Sequence, residues 1–291
     1  MREDAALTAA PSHSAALIER LRGTRAFVLD MDGTLVLGDK TNHGLNPLPG
    51  ALEFTSLLSE RGVPFVLFTN GTARTPQQYA GMLRDVGFSL PENGILTPAS
   101  SAAELFRRRG YRRILTLGGE GLENPLHDAG LETVAPEGKP EADAILVGWF
   151  REFTFSALEA ACHAARNGAK VYSCSQSLYF ATAHGKALGT SRAISAMIKD
   201  LTGARIHVIG KPALDALRCA ARQLGARTRE LTVVGDDPSL EVPMALRGGA
   251  LAVAVNTGIG TADSFAHLPA KQRPHLIVHG VGELLSLYKG Q

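Results

Sequence analysis

An α/β fold, built on a doubly wound parallel sheet with a smaller α/β unit inserted into it, is what this 291-residue sequence predicts. Three observations point there. Short apolar runs recur with helical segments between them, the pattern of parallel strands joined by crossover helices. Several of those runs end at once in carboxylates, hydroxyls or a lysine, and the carboxyl edge is where open α/β sheets hold ligands. From Thr97 to about His184 the alternation repeats on a smaller scale, so that stretch can form a unit of its own.

Composition sets the outer bounds. The chain is long enough for two domains, or for one with a large insertion, and its 45% hydrophobic content can fill substantial cores. Formal net charge is +2, and the densest basic run, Arg107–Arg109 with Arg112 and Arg113 nearby, has no interleaved aromatics. That run reads as a solvated helix end, so no nucleic-acid partner is expected. Cys162, Cys174 and Cys219 are an odd count without C-x-x-C spacing, which suggests neither a disulfide framework nor a zinc site and fits a reducing, cytoplasmic location. Arg2, Glu3 and Asp4 argue against a secretory signal, and no apolar stretch approaches bilayer-spanning length, so no membrane partner is expected.

Residues 1–21 form a leader, loose over 1–13 and then helical over Ser14–Arg22, where the serine can cap the helix. Ala26–Leu29 is the first continuous apolar run, as a strand buried on both faces reads, and it runs into Asp30-Met31-Asp32-Gly33-Thr34. Residues two apart on an extended chain point the same way, so Asp30 and Asp32 can face one small volume. Two carboxylates this close imply a divalent metal between them, acid/base chemistry, or both. The plainer alternative is a strand followed by an Asp-Gly turn that Asp32 merely caps.

Residues 35–46 read as a loop or hairpin, Ala51–Arg61 as a helix ended by Gly62, and Val63–Phe68 as the second strand. That strand ends in Thr69-Asn70-Gly71, beside the carboxylates, and the turn into a helix from Pro76 to Val86 offers free N–H groups that favour a phosphate. Within the insertion, helices at Ser101–Arg109, Gly121–Ala129 and Thr154–Asn167 alternate with strands at Arg113–Leu117, Ala144–Val147 and Lys170–Ser173. Residues 136–142 are a polar loop inside it. Ser191–Leu201 is then a helix closed by Gly203, and Ile206–Ile209 a strand that delivers Lys211, a fixed positive charge, to the same edge. Pro212 opens the helix that follows. Leu231–Val234 runs into Asp236 and Asp237, Leu251–Val255 makes a further strand, and Leu276–Val278 another before a closing helix over Val281–Tyr288.

Taken in order, DMDGT, FTN, GKP and GDD resemble the four motifs of the haloacid dehalogenase superfamily of phosphohydrolases. Inside the insertion, GILTPASSAAELF, LGGEGLENPLHDAG, ADAILVGWFREFTFSAL and ARNGAKVY are similar to its class IIA subgroup, with a C2-type α/β cap, which includes nitrophenylphosphatase-like, phosphoglycolate and pyridoxal phosphate phosphatases. The resemblance implies a Rossmann-like core at about 22–97 and 186–291 with a cap domain at 98–185. It implies Asp30 as nucleophile through an aspartyl-phosphate and Asp32 as the acid that protonates the leaving alcohol and then activates water. Mg2+ would be held by Asp30, the Asp32 carbonyl and Asp236. Thr69, Asn70, Gly71 and Lys211 would bind the phosphate oxygens, and Asp237 would hold a metal-bound water or orient Lys211.

Two departures from the subgroup stand out. Glu241 occupies the place of a usual aspartate, either supporting the site or sitting as a solvated acid in a first helical turn, and Ser175-Gln176-Ser177 replaces the usual Asn-x-Asp of the cap. Trp149, Arg151 and His184 are candidate specificity residues, or else cap structure. The expected function is a Mg2+-dependent phosphomonoesterase acting on a small phosphate ester. A phosphotransferase and a weakly catalytic binding or sensor protein share the same residues and stay open, as does homo-oligomerisation. A dehalogenase would have no use for Asp32, and a dinucleotide-binding G-x-G-x-x-G is missing after the first strand.

Overall fold

The computed structural model describes residues 14–39 and 43–290. Residues 1–13 of the expected leader lie outside them. The helix Ala15–Arg22 starts where expected, with Ser14 accepting a hydrogen bond from the Leu17 N–H.

Six parallel strands form the first sheet, in the order Leu276–Val278, Leu251–Val255, Leu231–Gly235, Ala26–Leu29, Phe65–Phe68, Ile95–Leu96. Its central strands are buried on both faces, which is why they read as unbroken apolar runs. Phe27 and Leu29 face a cluster with Phe54, Leu284 and Tyr288, whereas Val28 faces Val66, Leu217 and Met244 on the other side. Phe27, Phe54 and Tyr288 meet edge to face at 5.3–6.0 Å between ring centres. The two-residue strand Ile95–Leu96 was not expected from the sequence, since so short a run carries no period of its own.

The second sheet has five parallel strands, ordered Ile206–Val208, Lys170–Ser173, Ala144–Val147, Arg113–Leu117, Glu132–Val134. Here a sequence expectation is corrected. Ile206–Val208, assigned to the first sheet, pairs with Val171–Ser173 of the second. The helix Thr190–Thr202 goes with it, burying Ile194 and Ile198 against Leu115, Ile145 and Val171. Residues 190–209 therefore lie with the second sheet, and the chain crosses back after residue 209, later than the expected boundary at 185. A three-residue apolar strand looks the same in either sheet; only its hydrogen-bond partner decides.

Two antiparallel ribbons complete the frame. Val36–Leu37 pairs with Asn46–Pro47, as the expected loop or hairpin. Tyr179–Thr182 pairs with Gly185–Leu188 around a turn in which Gly185 has φ 109°, a ribbon that the sequence did not announce because it is largely exposed and lacks apolar alternation.

Candidate active site

Asp30 ends the central strand of the first sheet, its N–H donating to the Val234 carbonyl at 2.9 Å. Its carboxylate is buried. Oδ2 accepts from Thr34 Oγ1 at 2.9 Å and Oδ1 from Lys211 Nζ. Thr34 can reach back because Gly33, at φ 88°, turns the chain sharply. Two residues on, Asp32 Oδ2 accepts from Thr69 Oγ1 at 3.3 Å, and that hydroxyl in turn accepts the Gly71 N–H at 2.9 Å. Asp30 and Asp32 thus line one cavity, as their spacing predicted.

Asp236 closes that cavity from the neighbouring strand. Its Oδ2 accepts the Ile259 N–H at 2.6 Å and fits between two glycines: a Cβ on Gly33 or Gly258 would lie 2.6 or 1.9 Å from that oxygen. Burial, and then the nearby Asp30 and Glu241 carboxylates, push the Asp236 carboxyl well above the usual range. Asp237 also borders the cavity. Its Oδ1 accepts from the N–H and the hydroxyl of Ser239, at 2.7 and 2.6 Å, which stabilises the turn.

Glu241 makes the contact with Lys211 that the sequence reading left open between Asp237 and Glu241. It is 2% exposed, so it is not a solvated acid. Oε1 lies 2.7 Å from Lys211 Nζ, and Oε2 accepts the Asp237 N–H at 3.1 Å. Its longer side chain folds back over Gly235, where a Cβ would come within 2.1 Å of Glu241 Cγ. Burial pushes the Glu241 carboxyl up to about 7 although Lys211 opposes the rise, with Asp30 and Asp237 adding to it. Burial alone would lower the Lys211 pKa, but Asp30 and Glu241 more than offset it and hold the ammonium above an ordinary lysine. Glu241→Gln keeps the shape and removes the charge, so it is expected to lower kcat about 10–100-fold, as losing a partner that orients an active-site group commonly does. Steady-state rates that match the parent would remove Glu241 from the site.

The donors fit a hard cation. Asp30, Asp32, Asp236, Asp237 and Glu241 line the cavity, and Lys211 is the sole lysine or arginine among its described lining residues. Burial first, and the neighbouring carboxylates after it, raise the Asp236 and Glu241 carboxyls. Among the described residues, no three His, Cys, Asp or Glu side chains gather into a metal cage. The expected set needs only the Asp30 and Asp236 carboxylates with the Asp32 carbonyl, and Mg2+ usually keeps several waters.

The remaining expected residues divide. Asn70 lines the cavity, but both ends of its side-chain amide bind the main chain of Lys211. Gly71 packs against Tyr79, whose hydroxyl would lie 2.3 Å from a Cβ there. Trp149 reaches the cavity from the second sheet, with its main-chain N–H donating to Thr72 Oγ1 at 2.8 Å. Arg151 and His184 do not line it; they are exposed beside it, in a groove shared with Trp149, and the Arg151 guanidinium stacks over the Trp149 ring at 5.8 Å. Sequence reasoning missed Tyr79, while Ser177 belongs to the departure already noted in the cap. Both line the cavity with hydroxyls that lack a hydrogen-bond partner among the described residues. Tyr79 sits in a helix read only for the free N–H groups of its opening turn, and no spacing signals a hydroxyl turned inward.

Comparison with known proteins follows the same lines. A family model described as haloacid dehalogenase-like hydrolase matches residues 27–132, and a second of HAD-like hydrolases matches residues 208–284. The 5'-nucleotidase YutF of Bacillus subtilis is 28% identical over 81% of this chain and 88% of its own. Ribonucleotide monophosphatase NagD of Escherichia coli K12 is 26% identical over 88% of this chain and 96% of its own. The crystal structure of a 4-nitrophenylphosphatase from Thermotoga maritima superposes with a TM-score of 0.81 at 26% identity, covering 92% of this chain and 99% of that one.

Proposed function

The chain belongs to the haloacid dehalogenase-like hydrolases, as a class IIA phosphatase, and on that premise we propose that it is a Mg2+-dependent phosphomonoesterase working through an aspartyl-phosphate at Asp30. One observation carries this reading. Asp30 sits between Lys211 Nζ and Thr34 Oγ1, with Asp32 held by Thr69 beside it, at the carboxyl edge of a parallel sheet.

An Asp30 oxygen forms the bond to phosphorus as the bond from phosphorus to the ester oxygen breaks. Asp32 gives its proton to that leaving oxygen, which departs as an alcohol. Asp32 then takes a proton from water, whose oxygen attacks phosphorus and releases inorganic phosphate, restoring Asp30. Lys211 and Thr69 place positive charge and a hydroxyl near the phosphoryl oxygens, where phosphoryl transfer most needs them. Asp30, Asp236 and the Asp32 carbonyl would hold Mg2+, which would supply charge neutralisation between two anions.

The substrate is a small phosphate ester. Relatives bearing names for nucleotide, sugar, dihydroxyacetone and nitrophenyl phosphatases support that class. So does the cap, in which the second sheet brings Trp149 and the antiparallel ribbon brings Tyr179 and Phe180 to the cavity. Three buried free cysteines fit a reducing cytoplasm, and no helix among the described residues is long and apolar enough to cross a membrane.

Hydrolysis of p-nitrophenyl phosphate should require Mg2+, vanish in chelator and return when the ion is restored. Full turnover in chelator, with no metal in the protein, refutes the metal requirement. Adding an alcohol acceptor and finding a new phosphate ester in place of inorganic phosphate would make the chain a phosphotransferase. Trp149→Ala should reorder preferences among small phosphate esters, whereas Arg151→Ala should change them less, because only Trp149 lines the cavity; equal effects in a substrate panel would contradict this placement.

A further inference from the structure

Lys211 arrives at Asp30 from the other sheet. It follows the strand Ile206–Val208 of the second sheet, yet its ammonium must meet a carboxylate at the edge of the first. Something has to hold those two edges in register at this residue.

Asn70 stands at the end of the first-sheet strand Phe65–Phe68 and has the geometry to do so. Its Oδ1 accepts the Lys211 N–H at 2.8 Å, and its Nδ2 donates to the Lys211 carbonyl at 2.9 Å. Engaging both main-chain groups of one residue fixes it as a neighbouring strand would. The same Nδ2 lies 3.5 Å from Ser175 Oγ, in the loop after the second-sheet strand Lys170–Ser173. Gly210 admits the contact: a Cβ there would lie 2.5 Å from Asn70 Oδ1 and 2.1 Å from the Cys174 carbonyl oxygen. Beyond the main chain, Lys211 is set by Asp30, by Glu241 and by the Phe68 ring, 5.5 Å from Nζ to its centre.

We propose that Asn70 is a positioning residue, whose carboxamide clamps the main chain of Lys211 and so delivers the lysine to Asp30 only when the second sheet is seated on the first. The carboxamide is then spent on the lysine and does not bind phosphate. The effect on rate rests on the phosphatase reading; the clamp itself does not.

Asn70→Ala and Asn70→Asp, each alone and combined with Lys211→Met, test it with p-nitrophenyl phosphate and Mg2+. Asn70→Ala should lower kcat about 10²-fold, since a misplacement of about 1 Å can cost that much, with little change in KM. In the Lys211→Met background the same change should cost nothing further, because residues acting through one group are not additive. Asn70→Asp keeps the size and the acceptor but loses the donor to the Lys211 carbonyl, and should cost about tenfold; it decides the matter if the alanine variant does not fold.

A readout independent of turnover is the labelling of Lys211 by an amine-specific reagent, followed by peptide mass analysis. Lys211 is buried in the parent and should label faster in either Asn70 variant. Unchanged labelling, an unchanged kcat, or an equal loss in the Lys211→Met background would each overturn the clamp. If the parent hydrolyses no phosphate ester, the phosphatase reading fails, while labelling still decides the role of Asn70.

Discussion

Replacing Asp30 by asparagine is expected to lower kcat by about 10⁴-fold or more, the scale on which loss of a nucleophile acts, while the protein stays folded. The amide is nearly isosteric. With its oxygen toward Lys211 Nζ and its nitrogen toward Thr34, whose hydroxyl can accept as well as donate, both contacts survive. Lys211 retains its ion pair with Glu241, and Asp236 loses a neighbour whose like charge raises its pKa. Stability should therefore hold. An amide nitrogen cannot attack phosphorus as the carboxylate does, so only uncatalysed background remains. Acid quenching with labelled substrate should trap a phosphoryl group on the parent and none on the variant. Residual hydrolysis within tenfold of the parent, or phosphoryl transfer to another residue, would end the covalent mechanism at Asp30.

Much of the catalytic edge was legible because carboxylates at the ends of apolar runs are a local signal. Asp30 and Asp32 share a cavity through a two-residue spacing that any extended chain imposes, and the runs before them are unbroken because both faces of the sheet are covered. What was not legible is tertiary. The strand Ile206–Val208 carries no mark of which sheet it joins, so the path of Lys211 across the two sheets was misread, and with it the need for a clamp at Asn70. Glu241 could be seen to be one methylene longer than expected, but only the fold shows that Gly235 makes room for it. The Tyr179–Thr182 ribbon escaped notice because an exposed strand has no apolar pattern to betray it.

Lys211→Met should damage rate and stability together, and the two effects can be separated by the metal. Methionine is unbranched, apolar and similar in length, so it keeps the packing on Phe68 and the clamp at the main chain while removing the charge. With the ammonium gone, Asp30 and Glu241 lose their cationic partner in a site where Lys211 is 2% exposed. Deleting one partner of a buried ion pair typically costs about 3–5 kcal/mol, and that loss should appear in urea unfolding with chelator present. Added Mg2+ is expected to recover part of it, because a divalent cation among Asp30, Asp236 and the Asp32 carbonyl again balances the carboxylates. The rate should not recover. Removing one preorganised stabiliser of transition-state charge costs about 10²–10³ in kcat, and a metal held by Asp30 and Asp236 would leave the place of the ammonium beside Asp30 and Glu241 unfilled. Urea unfolding and turnover measured in the same Mg2+ titration give the decision: if kcat returns along with stability, Lys211 is an electrostatic counterweight to the acids and no part of the chemistry.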